Sequence, residues 1–168
     1  MKLLIISDTH DNLANLEKFL SWARQKNYTQ IIHCGDIANS ETIDYLSKNF
    51  IGDCRLVFGN MDTNYRQSII ALSNNWPNIK LCGEIGKWNL KNLQIAFCHQ
   101  PETAKELGLS GDYHLVFYGH THKPWVEKLP NGCQLINPGT LGGVFNRASF
   151  AIFDTDTNNL ELKILELL

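Results

Sequence analysis

The sequence predicts an α/β protein, and three observations predict it. Short apolar runs of strand length alternate with stretches whose apolar residues recur at helical spacing. Five separate apolar runs each end in a polar residue able to bind a metal. The second half of the chain breaks into short extended pieces that read as hairpins. A chain of 168 residues suits one domain with a substantial core. No internal repeat, low-complexity tract or linker interrupts it, so residues 1–168 are expected to form a single domain.

Taken in order, Lys2–Ile6 is a buried strand, too short for a helix, a signal-peptide core or a membrane span. After Ser7-Asp8-Thr9-His10, the residues Leu13, Leu16, Phe19, Leu20 and Ala23 mark a helix, with Asp11 or Asn12 as its N-cap. Gln30–His33 is the second strand and ends at Cys34-Gly35-Asp36. Asn39 or Ser40 caps a second helix that turns Ile43, Leu46 and Phe50 inward. Residues 55–58 form the third strand, closed by Gly59-Asn60-Met61-Asp62. Residues 63–72 read as a loop and a short helix. Residues 79–85, 87–90 and 93–98 are extended pieces broken by Gly86 and by the polar Lys91-Asn92. The last of them ends at His99-Gln100-Pro101. Pro101 suits the first turn of a short helix over residues 102–107, bounded by Gly108 and Gly111. Residues 114–118 are a strand that runs into Gly119-His120-Thr121-His122. Residues 134–136 are another, leading to Asn137-Pro138-Gly139-Thr140-Leu141-Gly142-Gly143. Residues 149–153 and 160–165 make a closing hairpin with one mostly solvated face.

Composition excludes several classes. The net charge is −2, which offers no extended basic surface for nucleic acid. Five cysteines, odd in number and without Cys-x-x-Cys spacing, read as reduced core thiols of a cytoplasmic protein. No membrane association is expected. His33 and His114 lie in or beside strands and are expected to pack or hydrogen-bond. Trp76, Trp88 and Trp125 read as core or interface. The edge strand of the tail can pair with a second subunit, so a homo-oligomer is compatible with the sequence.

The chemistry lies in seven residues that follow strands. Asp8 and His10 follow the first strand, Asp36 the second and Asn60 the third. His99 follows the run 93–98, and His120 and His122 follow 114–118. At i and i+2 on an extended segment, the two histidines of that last pair point to one side. In α/β architecture functional groups gather beyond the carboxyl ends of strands. Carboxylate, imidazole and amide oxygen suit divalent first-row metals such as Mn, Fe, Co, Ni or Zn. Seven ligands exceed the need of one tetrahedral zinc. Two metals sharing a bridging carboxylate fit the count, and paired metals ~3.5–4 Å apart serve phosphoryl chemistry.

These residues carry a resemblance. Asp8-x-His10, Gly35-Asp36, Gly59-Asn60-x-Asp62, His99 and Gly119-His120-x-His122 match, in order, the motifs of the calcineurin-like metallophosphoesterases. The chain resembles the small single-domain YfcE-type phosphodiesterases within that superfamily, and Asn137-Pro138-Gly139-Thr140 is similar to their Asn-Pro-Gly-Ser element. The resemblance implies a four-layer α-β-β-α sandwich of two mixed β-sheets. It assigns Asp8, His10, Asp36 and His122 to one divalent metal and Asp36, Asn60, His99 and His120 to the other, with Asp36 as the bridge. Mn is the metal it favours, with Ni, Fe, Zn or Co as alternatives. The implied reaction is hydrolysis of small phosphodiesters by hydroxide activated between the metals. A phosphomonoesterase with the same site and a non-catalytic scaffold of the Vps29 type are the alternatives.

Two positions depart from the family pattern. Met61 stands where many relatives have a histidine acid, and Gln100 where the family has glycine. Asp62 is expected to hold a neighbouring ligand or loop. Asn12 is expected to cap its helix, with a lean toward the site as the alternative.

Overall fold

A computed structural model describes residues 1–90 and 92–168; Lys91, half of the polar break expected between two strands, lies outside the described residues. The elements follow in order as β1 (Lys2–Ile6), α1 (Leu13–Gln25), β2 (Gln30–His33), α2 (Ser40–Asn49), β3 (Asp53–Leu56), α3 (Arg66–Leu72) and β4 (Ile79–Leu81). Then come β5 (Ile85–Leu90), β6 (Leu93–Cys98), α4 (Pro101–Leu109), β7 (Leu115–Phe117), β8 (Trp125–Lys128), β9 (Gln134–Asn137), β10 (Ser149–Asp154) and β11 (Asn159–Ile164).

The strands form two mixed sheets, ordered β11-β10-β1-β2-β3-β4 and β5-β6-β7-β9-β8. In the first, β1 to β4 are parallel, while β10 and β11 run antiparallel on the other side of β1. In the second, β6, β7 and β9 are parallel, flanked by antiparallel β5 and β8.

The layering follows from strand alternation. Leu4 and Ile6 of β1 face the helices in a cluster with Phe19, Ile43 and Ile69. Leu3 and Ile5 face the other sheet, in a cluster with Phe97, Phe117, Ile136 and Phe153. On β6, Ile95 and Phe97 join that inter-sheet cluster, whereas Ala96 and Cys98 pack with Ala104 of α4. The order is therefore helices α1–α3, sheet, sheet, helix α4, as the four-layer expectation requires. Strands buried on both faces explain why β1, β6 and β7 read as continuous apolar runs.

Helix caps form as the sequence suggests. Asn12 accepts from Asn15 N at α1, and Asn39 accepts from Glu41 N and Thr42 N at α2. Leu13, expected on the inner face of α1, is 42% exposed.

Four expectations are corrected. The piece beginning at Ile79 is not part of a hairpin: β4 pairs parallel with β3 in the first sheet, and only β5 and β6 form the hairpin. Gly86 does not break a strand but lies within β5, where a Cβ would fall 2.1 Å from the Phe97 ring. Gly108 likewise lies inside α4, against Leu135 and Leu129, so the helix extends to Leu109. Strand β8 was not expected, because all four of its residues are exposed and it has no apolar alternation to detect. The third strand also starts and ends two residues earlier than expected.

All five cysteines are free, and four are buried. Trp76 is buried in the helix-side core, Arg55 lies over Trp88 at 4.1 Å, and Trp125 is 48% exposed. Among the described residues no helix is long and apolar enough to cross a membrane.

Candidate metal centre

Both sheets send the carboxyl ends of parallel strands to the same edge of the sandwich. Asp8 and His10 follow β1, Asp36 follows β2 and Asn60 follows β3. His99 comes directly after β6, and His120 and His122 follow β7. All seven residues expected at the site meet there. The route differs from the one the spacing suggests. Asp8, His10, Asp36, His120 and His122 all have positive φ, between 46° and 69°. The histidines therefore turn inward through left-handed backbone rather than through alternation on an extended segment. Such a conformation is strained for an L side chain and persists only where its surroundings enforce it.

The donors form two groups. In the first, His10 Nε2 and His122 Nε2 lie 3.1 Å apart, and Asp8 Oδ1 is 3.1 Å from His122 Nε2 and 3.7 Å from His10 Nε2. In the second, Asn60 Oδ1 lies 3.0 Å from His99 Nε2 and 2.9 Å from His120 Nδ1. His120 Nδ1 and His99 Nε2 are 3.3 Å apart. Asp36 Oδ2 stands between the groups, 3.3 Å from His99 Nε2 and 4.0 Å from His10 Nε2. The pair of histidines is thus divided, one to each group.

Hydrogen bonding around the groups tests whether they suit a cation. His122 Nδ1 lies 3.1 Å from the Val144 carbonyl, and His99 Nδ1 lies 2.9 Å from the Cys34 carbonyl. A carbonyl only accepts, so the ring proton sits on Nδ1 in both and Nε2 presents a lone pair inward. Asp8 Oδ1 is buried, and no hydrogen bond is directed at it. Its close approach to His122 Nε2 therefore sets lone pair against lone pair. Only positive charge resolves that arrangement, as a proton or as a metal ion. The donor set of imidazole, carboxylate and amide fits divalent first-row metals.

The electrostatics agree. Burial by itself would raise the Asp8 carboxyl, but positive charge placed between it and the His10 and His122 rings holds it well below the usual carboxylate range. Burial opposes charge on His99, yet Asp36 beside it raises its pKa above the ordinary imidazole value. Contact with Asp8 raises His122 in the same direction.

A surrounding layer fixes these donors. Asp62 is fully buried and accepts from the backbone N–H groups of Asp36 (3.0 Å), Ala38 (2.7 Å) and Gly59 (2.7 Å). It ties the β2 and β3 loops together, as expected of it, and burial pushes its carboxyl up to about 6. Asn12 Nδ2 donates to the Gly142 carbonyl, so Asn12 caps α1 and holds a loop without reaching the donors. Asp11 serves the entrance of α2 instead, accepting from Asn39 N and Thr42 Oγ1. His33 is buried between Thr9 Oγ1 and Gly35 N, and burial pushes its pKa down to about 4, keeping it neutral.

The Asn137-Pro138-Gly139-Thr140 element has a definite task. Asn137 is fully buried; its Nδ2 donates to the Gly119 carbonyl (2.7 Å) and to Thr121 Oγ1 (3.0 Å), and its Oδ1 accepts from Gly139 N (2.8 Å). It therefore grips the loop that carries both histidines. Thr140 Oγ1 donates to the Asp8 carbonyl, joining the same element to the first donor group.

Gln100 has φ −81° and ψ 136°, a backbone that needs no glycine, and its Nε2 lies 3.4 Å from Asn60 Oδ1. Met61 is 51% exposed beside the donors. Sequence reasoning missed Val144 and Phe145, which border the site with Met61. Apolar residues in a loop give no signal that separates a site wall from core. Arg66, above Phe58 and paired with Glu84, borders a second cavity of about 250 Å³ beside Asn60 and His99, and was also missed.

Comparison with known proteins agrees with this geometry. Residues 1–158 match the calcineurin-like phosphoesterase superfamily domain. Phosphodiesterase MJ0936 of Methanocaldococcus jannaschii is 28% identical over 172 residues, covering 99% of this chain and 100% of that protein. A solved archaeal phosphodiesterase superposes with a TM-score of 0.87 at 26% identity, covering 98% of this chain and 99% of the other. The YfcE phosphoesterase of E. coli gives a TM-score of 0.69 at 19% identity, covering 98% and 100%, a likeness of fold.

Proposed function

The chain belongs to the calcineurin-like phosphoesterase superfamily, a family of hydrolases, and on that premise we propose that it is a metal-dependent phosphodiesterase acting on small, accessible diesters. The observation that carries this reading is the pair of donor groups whose lone pairs converge with Asp36 between them. Asp8, His10, Asp36 and His122 would hold one divalent ion, and Asp36, Asn60, His99 and His120 a second. Mn²⁺ is the expected metal, with Ni, Fe, Zn or Co compatible with the same donors. Two such ions, when bound, supply Lewis acidity that acidifies water and offsets charge on phosphate oxygens.

The chain itself contributes placement. The carbonyls of Cys34 and Val144 keep Nδ1 of His99 and His122 protonated and their Nε2 atoms bare. Asp62 and Asn137 hold the loops, so the donors need little reorganisation when substrate arrives. Gln100 lies against Asn60, where its amide can meet a phosphate oxygen. Met61 has no proton to give, so the departing alkoxide takes its proton from water. A scaffold of the Vps29 type would not require the full donor set, and here all seven donors converge. The free, mostly buried thiols suit a reducing cytoplasmic setting.

The test uses Mn²⁺-loaded protein, bis(4-nitrophenyl) phosphate and 4-nitrophenyl phosphate, with Asp36→Asn as control. Diester hydrolysis well above the control and above the monoester rate supports the reading. Metal binding without hydrolysis beyond Asp36→Asn refutes it.

A further inference from the structure

One residue of the loop after Thr140 carries two separate costs. Phe145 is 93% exposed and has φ 61°. Left-handed backbone strains any residue with a Cβ, and Gly or Asn is the ordinary occupant. An exposed phenyl ring also forfeits the gain of burial. Backbone outliers at a site point toward function.

The loop is not loose. Leu141 N donates to the Ser7 carbonyl at 2.8 Å, and Gly142 N donates to the Asp8 carbonyl at 2.9 Å. Asn15 Nδ2 donates to the Leu141 carbonyl at 2.9 Å, and His122 Nδ1 to the Val144 carbonyl at 3.1 Å. Bonds on the N-terminal side of Phe145 thus clamp its backbone to the first donor group. Its ring stacks on His122, with centroids 5.6 Å apart and planes 26° apart. At 93% exposure its other face is open. Phe145 and Met61, both exposed, border one cleft of about 450 Å³ together with His10, Asp36 and Asn60. The cleft has the donors beside two apolar side chains that nothing in the described chain covers.

We propose that Phe145 and Met61 form a recognition slot for a flat aromatic ring, aryl or nucleobase, carried by the phosphate ester. The inference rests on the phosphodiesterase reading of the same site and gives it a substrate class. The ring stacks on the open face of Phe145 while the phosphate lies at the donors. A phenyl face and a thioether both favour an aromatic partner over an alkyl chain.

The test is calorimetric titration of Mn²⁺-loaded protein with phenylphosphonate, methylphosphonate and the phosphonate analogue of thymidine 5′-monophosphate, none with a hydrolysable ester. At least one aromatic ligand should bind about tenfold more tightly than methylphosphonate. The ligand that gains tells aryl from nucleobase. Phe145→Ala should erase the preference and leave methylphosphonate affinity within about twofold, and Phe145→Trp should retain it. The proposal is overturned if the wild type shows no preference, or if the preference survives in Phe145→Ala. It is equally overturned if all three ligands weaken in parallel, the signature of a disturbed His122. Because these affinities need no turnover, a failure of diester hydrolysis would count against the enzymatic reading and leave this result separate.

Discussion

Asn137→Asp isolates one job of the layer behind the donors. The substitution preserves shape and exchanges the Nδ2 donor for an oxygen. That oxygen would face the Gly119 carbonyl at 2.7 Å and Thr121 Oγ1 at 3.0 Å. Thr121 can turn its hydroxyl and donate instead, so the loss concentrates on Gly119. A buried carbonyl without a donor costs ~1–3 kcal/mol, and the lost bond itself ~1 kcal/mol. The ionised variant should therefore be about 3 kcal/mol less stable than wild type. Protonation restores a donor, so the variant's folded state holds its proton more tightly than its unfolded state. The sign follows: a deficit of that size is a shift of about 2 units above the ordinary Asp value, so it is small near about pH 4, grows as pH rises to about pH 6 and is constant above that. Urea unfolding across that range measures it, and Mn²⁺ titration measures the effect on the histidine loop, expected to be at least about tenfold in affinity. A deficit under about 1 kcal/mol that does not change with pH, with unaltered Mn²⁺ affinity, would show that Asn137 does not hold the loop.

Three further outcomes follow from the same geometry. His33 is neutral when folded because burial lowers its pKa from 6.5 to about 4, so the unfolded chain takes the proton first. Stability should fall by up to about 3 kcal/mol as pH drops through that window, and His33→Gln should flatten the fall in acid-unfolding curves. Asp62, pushed up to about 6, runs in the opposite sense, so the test is the difference between variant and wild type. Mn²⁺ at ~1,000 times its Kd should stabilise the fold by about 4 kcal/mol; a chelator should reverse the gain in calorimetric Tm, and an unchanged Tm would contradict a native-state metal site. In Gly59→Ala the new Cβ would fall 2.1 Å from Asp36 Oδ1 and 2.6 Å from Asp36 N, displacing the carboxylate together with the backbone that carries it. Mn²⁺ affinity should drop at least about tenfold, with the secondary structure kept in circular dichroism and a lower Tm from the backbone contact.

Much of the fold was legible because two buried sheets write long apolar runs into the chain. Strands β1, β2, β6 and β7 were found on that signal, and so was the closing hairpin. What failed was structure without apolar contrast. Strand β8 has four exposed residues, and β4 is three residues long at the sheet edge. Gly86 and Gly108 were read as breaks because a glycine in a sequence signals freedom. Here each is present because a neighbour occupies the space of its side chain. The donors themselves were legible by type and by their place after strands. The reason they converge was not, since nothing in Asp8, His10, Asp36, His120 or His122 announces left-handed backbone. Asn137 was visible only as part of a motif, and its grip on Gly119 needed coordinates.

The pairing of β1 with β10 bears on when the centre can exist. Asp8 and His10 are made before their partners, since His122 lies 112 residues after His10 and Thr140 lies 132 after Asp8. Strand β1 gains its second neighbour only when residues 149–154 have been made. Until then the strand that carries Asp8 and His10 is held on one side only, by β2. If the centre takes metal as proposed, a full donor set would be held firmly only after β10 has docked on β1. An ion caught earlier would be held by fewer donors and would exchange.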